Sequence, residues 1–367
     1  MHSPHALNSH SRRRTLPASL ALAGMALAFT SFYLGAGALT PLLVVYRQQW
    51  GFPPSMLTLA FAVYAIGFLL AALVFGSLSD YLGRRTVLVA AIVVQIASNL
   101  VFLVAPNVDW IIAGRVVQGI ASGAATSAFT AALVELSPAG KSRRGAILGS
   151  VSLTGGLAFG SLLTGLAIQL MGTSANTLIF LVLIALTAIG LVAVAFSPET
   201  VPHVAGAGRA LVPRIVVPRT ARPEFLASAP VVAAVWMLAG LSGGLAPSLV
   251  RSVFHLDSAV LNGFAGFIAP AVSVIVGVAF ARFLPRRAMF IGIWAAIFGS
   301  VMIIVGVLLR SLPLMFAGQA VAGVGFGSAF TAALSLTLPL AKPHQRAELV
   351  AGLYVVSYTS FGVPIVI

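Results

Sequence analysis

Cysteine is absent from the 367 residues. That excludes a disulfide framework, a thiolate metal site and a cysteine nucleophile. Charge is scarce: 8% of residues are charged and seven are acidic. A soluble globule uses about 25% charged residues to cover its surface, so a soluble enzyme, a disordered chain and a disulfide scaffold are poor readings. No G-x-x-x-x-G-K-S/T loop is present, which removes an ATP-driven pump. The acids are Asp80, Asp109, Glu135, Glu199, Glu224, Asp257 and Glu348, and none lies in the middle of an apolar run. His203, His255 and His344 also fall between runs. A membrane-embedded enzyme needs paired acids, a metal cluster or a serine–base pair, and no such set is visible. Gly323-Val324-Gly325-Phe326-Gly327 sits inside an apolar run and reads as membrane helix, not as a phosphate loop.

What the chain does have is hydrophobicity: 59% apolar residues and a mean hydropathy of +1.06. Apolar stretches of about 20 residues cross a bilayer as helix. Eleven are predicted, at 18–46, 56–79, 86–105, 109–136, 145–171, 175–197, 226–250, 259–283, 288–309, 312–339 and 347–367. Turn formers mark the joints, as in Gly51-Phe52-Pro53-Pro54, Ala105-Pro106-Asn107 and Ser137-Pro138-Ala139-Gly140. The longest polar interval, 198–225, holds five prolines and four arginines and reads as a linker between halves 1–197 and 226–367. Ser11-Arg12-Arg13-Arg14 before an apolar run resembles a secretion signal, but the run continues for about 28 residues, longer than a signal core. It reads as the first span.

The net charge of +14 raises a nucleic-acid reading. The positions of the basic residues answer it. With the N-terminus inside, 17 of 21 fall at inner joints: Arg12, Arg13 and Arg14; Arg84 and Arg85; Lys141, Arg143 and Arg144; Arg209, Arg214, Arg219 and Arg222; Arg282, Arg286 and Arg287; Lys342 and Arg346. Arg47, Arg251 and Arg310 lie at outer ends, and Arg115 sits within a span. This is the positive-inside distribution, spread over six joints rather than one face. It predicts a multi-pass protein of the cytoplasmic membrane with no nucleic-acid partner.

The string SAFTAAL occurs at 127–133 and again at 328–334, ending spans four and ten. Upstream, Ala113-Gly114-Arg115 matches Ala317-Gly318-Gln319, Gly119 matches Gly323 and Gly123 matches Gly327. Weaker echoes pair the Arg84-Arg85 loop with Arg286-Arg287 and Phe159-Gly160 with Phe361-Gly362. Two parallel six-span halves place a site near the midplane between them and let it alternate exposure. By the same spacing Ile367 falls within span eleven, so a full second half is expected to extend about 30–45 residues further.

Between spans two and three stands Gly76-Ser77-Leu78-Ser79-Asp80-Tyr81-Leu82-Gly83-Arg84-Arg85. This resembles the major facilitator superfamily signature G-x-L-x-D-x-x-G-R-R/K. The resemblance implies an all-α bundle of two pseudo-repeated six-helix halves, here with the last helix missing and the eleventh cut short. It also implies that Gly76, Asp80, Gly83, Arg84 and Arg85 hold the halves together in the outward-facing state. Arg115-Val116-Val117-Gln118-Gly119 resembles the family's R-x-x-Q-G signature. Arg115, Gln118, Ser122 and Thr126 follow at i, i+3, i+7 and i+11, one polar stripe on a helix. Such a stripe faces the bundle interior, and the resemblance implies coupling or cavity electrostatics, with Gln319 as the repeat partner. Arg115 also lies about 9 Å from the span's outer end, so a snorkelling side chain is the alternative. Ser152, Gly156, Gly160 and Thr164 recur at period four in span five. They resemble a degenerate antiporter signature, with Ser161 in place of its proline and Thr164 in place of a glycine. A plain packing ridge is the other reading, and the ridge would pack the halves together.

In the family plan spans one, four, seven and ten line the cavity. Tyr33, Thr40, Trp236, Ser242 and Gln319 are the polar or aromatic choices there. An aromatic cavity with few charges suits a lipophilic or neutral solute. The expectation is a monomeric secondary transporter, without cofactor or metal, driving ion-coupled efflux of a small solute. Uptake by a symporter or facilitator of the same superfamily is the alternative; a channel or membrane enzyme is distant. A coupling proton rests on family analogy alone, since no mid-span carboxylate is present. Glu135 is the nearest candidate, and an interfacial charge beside Lys141 is its other reading.

Overall fold

The structure is a computed structural model. It describes residues 15–138, 142–205, 208, 217–280, 283–341 and 346–366. The expectations placed on Arg12, Arg13, Arg14, Lys141, Arg209, Arg214, Arg282, Lys342 and His344 concern positions outside the described residues. Among the described residues every regular element is helical.

The long helices are α1 (Ala18–Trp50), α2 (Pro54–Phe75), α3 (Arg84–Val104) and α4 (Val108–Glu135). Next comes α5, built from Ser142–Ser150, a π-helical turn Val151–Gly155 and Gly156–Met171, and then α6 (Ala175–Ala195). The second half has α7 (Arg222–Ser252), α8 (Ala259–Phe280), α9 (Pro285–Leu308), α10 (Leu312–Thr337) and α11 (Arg346–Val366). All eleven expected spans are therefore present as helix, with shifted ends. Span two stops at Phe75, and Ser79–Leu82 forms a separate single turn before Gly83. Span seven starts at Arg222 because Pro223 fits the first helical turn, where no backbone N–H is needed. Gly51 ends α1 in the left-handed region (φ +66°), its N–H donating to the Arg47 carbonyl at 3.0 Å.

Large apolar side chains on α3, α6 and α9 point outward, among them Leu100, Ile189, Phe298 and Ile304. Exposed apolar bands of this kind suit lipid, not water. Inward, α1 is the hub of the first half, buried from Ala21 to Tyr46.

The sequence repeat is also a packing repeat. A Cβ at Gly119 (α4) would lie 2.5 Å from the Tyr64 carbonyl on α2, and one at Gly323 (α10) 2.5 Å from the Ala269 carbonyl on α8. Gly123 and Gly327 press against Phe68 of α2 and Ser273 of α8. Gly114 meets Phe102 on α3, and Gly318 meets Ile303 on α9. Each contact in one half has its counterpart six spans on.

Two seams join the halves. Along α5 and α8, Gly165 and Gly263 face each other, a Cβ on Gly165 lying 2.8 Å from the Gly263 Cα, and Ser161 Oγ donates to the Gly263 carbonyl at 3.0 Å. Between α2 and α11, Phe68 stacks on Tyr358 with centroids 4.0 Å apart. The expected ridge of span five is present but turned. Gly156 and Gly160 contact Tyr33, Thr30 and Leu34 of α1, and Ser152 Oγ donates to the Ala26 carbonyl at 3.3 Å. These three belong to packing within the first half; the inter-half face is the one carrying Ser161 and Gly165.

A methyl at Gly160 would overlap the Leu34 carbonyl, whereas one at Gly149 meets nothing nearer than 3.8 Å. Gly160→Ala should destabilise the purified protein by about 1–3 kcal/mol, while Gly149→Ala should be close to neutral. Thermal unfolding of both variants in detergent checks the pair; equal midpoints would contradict the α1–α5 contact.

Candidate functional site

An interior cavity lies between the halves. Eight helices line it: α1 with Tyr33 and Thr40, α2 with Phe61 and Tyr64, α4 with Arg115, α5 with Leu157, α7 with Trp236 and Ser242, α8 with Pro270, α10 with Phe326, and α11 with Tyr358 and Phe361. The wall is largely aromatic. Trp236 centres a cluster with Phe326 at 5.2 Å, Phe330 at 5.5 Å and Tyr358 at 4.9 Å. The π-helical turn of α5 brings Leu153 and Thr154 to the same wall.

Arg115 is 2% exposed, which disposes of the snorkelling alternative. Its Nε donates to the Ala60 carbonyl at 3.0 Å and its Nη1 to Gln118 Oε1 at 2.7 Å. The guanidinium carbon sits 4.2 Å from the Tyr64 ring centroid and 5.4 Å from that of Phe61. Ring faces carry negative charge density and offset part of the cost of burying a cation. Among the described residues no carboxylate lines the cavity.

The rest of the stripe lies behind the wall. Thr126 Oγ1 and the Tyr33 hydroxyl are 2.9 Å apart, and Thr126 Oγ1 donates to the Ser122 carbonyl at 2.6 Å. Gln118 and Ser122 are fully buried, as are Gln95 and Asn99 of α3. Gln95 Nε2 donates to Asn99 Oδ1 at 3.3 Å. Gly35 of α1 makes room for these amides: a Cβ there would lie 3.4 Å from Gln118 Nε2 and 3.6 Å from Asn99 Oδ1. Gln319 is buried too but does not line the cavity.

At the end of the first half where α3 begins, Arg84 ties several elements together. Its Nη1 lies 2.5 Å from Asp80 Oδ1 and donates to Ser79 Oγ at 2.6 Å; its Nη2 donates to Glu135 Oε1 at 3.1 Å. Glu135 Oε2 also accepts from Thr200 Oγ1 at 2.6 Å. Glu199, just past α6, accepts from the backbone N–H groups of Arg84 (2.8 Å) and Arg85 (3.2 Å). It thereby caps α3, where a carboxylate is favoured by unpaired N–H groups. Gly83 is at φ +85°, and a Cβ there would lie 2.5 Å from Glu199 Oε2, so only glycine fits. Val204 N–H donates to the Tyr81 carbonyl at 2.9 Å, laying the first stretch of the linker on this loop. Gly76 abuts its own helix at Ala72, and its carbonyl accepts from Ser127 Oγ at 2.8 Å. These hydrogen-bond and ion-pair partners belong to the first half and to the first stretch of the linker.

Tyr33, Thr40, Arg115, Trp236 and Ser242 thus line the cavity; Gln118 and Thr126 bond to lining residues from behind it, and Ser122 and Gln319 are buried off it. Sequence reasoning missed Phe61, Tyr64, Tyr358 and Phe361, which come from spans outside the expected four. It also missed Glu199; the pointer was an acid just past a span in a chain with seven acids.

A sequence profile described as Major Facilitator Superfamily matches residues 25–366. The quinolone resistance protein NorA of Staphylococcus aureus is 27% identical over 106 residues, 29% of this chain and 27% of the relative. A putative proline/betaine transporter of Staphylococcus haemolyticus is 30% identical over 155 residues, 39% of this chain and 30% of the relative. Each match therefore spans less than a third of the relative's length. A bacterial homologue of the human lysosomal transporter Spinster, solved inward-facing and unoccupied, superposes with a TM-score of 0.72 at 15% identity, covering 95% of this chain and 81% of that one.

If Glu199 caps α3, Glu199→Ala should raise amide exchange at Arg84 and Arg85 by about fivefold, for the loss of about 1 kcal/mol typical of a removed cap. Exchange in the middle of α3 should not change. Hydrogen–deuterium exchange read by mass spectrometry on the peptide spanning Gly83 checks this.

Proposed function

The chain belongs to the Major Facilitator Superfamily, and from that premise we propose that it is a secondary transporter driving efflux of a small lipophilic solute by alternating access. The family and the bundle make it a multi-pass membrane protein. The observation that carries the reading is the aromatic cavity between the two repeated halves, lined by residues of both. A midplane site at a repeat interface is what rocking of one half against the other exposes in turn.

Efflux is favoured by the partial likeness to NorA, a quinolone resistance protein. Uptake is the second reading, favoured by the partial likeness to a putative proline/betaine transporter. The charge distribution supports a cytoplasmic membrane with the N-terminus inside. In the resemblance noted above, the loop from Gly76 to Arg85 sets the balance between the two facing states, and Asp80 would act there through Arg84. Coupling to a proton has no carboxylate in the cavity to carry it; Glu135, bonded to Arg84 and Thr200 at the inner rim, is the nearest acid.

Oriented proteoliposomes given a panel of neutral, anionic and cationic aromatic solutes, with and without an imposed pH gradient, test substrate class, direction and coupling together. Gradient-dependent movement from the inner to the outer face is expected. Uptake in the opposite sense would select the second reading, and no movement of any solute would overturn both. Asp80→Asn, correctly inserted, should lower the rate by about tenfold or more; a wild-type rate would remove the role of Asp80.

A further inference from the structure

We propose that the central cavity binds an aromatic monocarboxylate, with its carboxylate on Arg115 and its ring among the aromatic side chains. This rests on the transport reading above and narrows it to a substrate class.

Arg115 brings one full positive charge to the cavity wall, and no acid answers it. The seven acids of the chain are all elsewhere. Asp80 and Glu135 are on Arg84, Glu199 on the α3 amides, Glu224 on Arg286 at 2.7 Å and Asp257 near Arg251 at 3.6 Å. Asp109 opens α4 at its outer end, and Glu348 lies in the first turn of α11. A cationic ligand would therefore meet Arg115 with nothing to hold its own charge. A neutral ligand would leave the guanidinium with ring faces alone as charge partners. An anion completes the pairing.

The hydrogen-bond count then limits the anion. Arg115 Nε and Nη1 are held by the Ala60 carbonyl and Gln118. Nη2 has no partner among the described residues, and Arg115 lines the cavity. One free donor edge suits one negative charge. A phosphate dianion needs several donors or a second cation, and among the described residues no other basic side chain lines the space.

The remaining wall fixes the rest of the molecule. Phe61, Tyr64, Trp236, Phe326, Tyr358 and Phe361 enclose the cavity with rings. Offset and edge-on ring contacts favour a planar aromatic body. The Thr40 and Ser242 hydroxyls are polar points on the same wall. The Trp236 indole N–H is buried with no hydrogen-bond partner among the described residues.

The test is equilibrium binding to the purified full chain in nanodiscs, using 2-naphthoate, 2-naphthamide and 2-naphthylmethylammonium. These share one ring system and differ in charge. The acid should bind at least about tenfold more tightly than the amide, and the ammonium more weakly than either. Arg115→Gln should erase the preference for acid over amide; Arg115→Lys should keep the preference. The proposal is overturned if the amide or the ammonium matches the acid, if the acid does not bind folded protein, or if Arg115→Gln keeps the preference. Should Arg115→Gln not fold, the ranking on the unaltered chain decides. Binding of the acid without movement of any solute in vesicles would overturn the transport reading but not this one. Movement of neutral or cationic solutes with no acid binding would do the reverse.

Discussion

Lipid tails are as apolar as leucine, so helices in a bilayer gain little by hiding apolar side chains against each other. This bundle is held where side chains are missing and backbones come close. Gly119 and Gly123 bring α4 against α2, and Gly323 and Gly327 bring α10 against α8. Gly37, Gly156 and Gly160 draw α1 and α5 together, and Gly24 and Gly190 seat α6 on α1. Once these distances are set, side chains near the contacts have fixed positions. Tyr33 and Tyr64 reach the central space because their own backbones are pinned beside Gly156 and Gly119.

The scarcity of acids is the second constraint, and it follows from the solvent. A carboxylate inside a membrane is expensive unless paired, and here the acids stand at helix ends. At one end of the bundle a single cluster serves several elements: Glu199 holds the start of α3, and Arg84 bridges Asp80 to Glu135. The consequence appears about a helix length away. With no carboxylate left for the interior, Arg115 is steadied by a carbonyl, an amide and two rings. Such partners orient a guanidinium but carry no full negative charge, so the field of Arg115 is directed at whatever enters the cavity.

Much of this was legible in the sequence, and for identifiable reasons. Apolar runs between charged joints gave eleven spans, because the bilayer sets both length and polarity. The SAFTAAL repeat and its upstream glycines marked equivalent packing, since close approach tolerates only glycine there. Arg115 was legible as a polar residue at helical spacing with Gln118, Ser122 and Thr126; its inward direction was not, because both ends of a long side chain's reach were open. The ridge of span five showed its period but not its azimuth. Gly160 faces α1 and Ser161, one residue and about 100° further round the helix, faces α8. Phe61, Tyr64 and Tyr358 were hidden by their surroundings: an aromatic residue in an apolar span reads the same whether it faces lipid, a neighbour or a cavity. Glu199 was hidden because its partners are backbone N–H groups, which leave no mark in sequence.

The two seams between the halves differ in what displacement would cost. At the α5–α8 seam the contacting atoms are backbone, Gly165 against Gly263, with Ser161 bonded across. Such a contact has no rotamers with which to follow a shift, so sliding there loses it outright. At the α2–α11 seam the contact is a Phe68–Tyr358 stack, with Tyr354 edge-on to Phe68 at 6.4 Å. Rings can exchange stacked for edge-on neighbours and keep most of their buried area. On the alternating-access reading, the glycine seam therefore suits a pivot and the aromatic seam suits the surface that moves. The serine that departs from the antiporter signature stands at the α5–α8 seam. Where the family pattern has proline, with no N–H and a rigid ring, this chain has a hydroxyl that bonds directly to the opposite half.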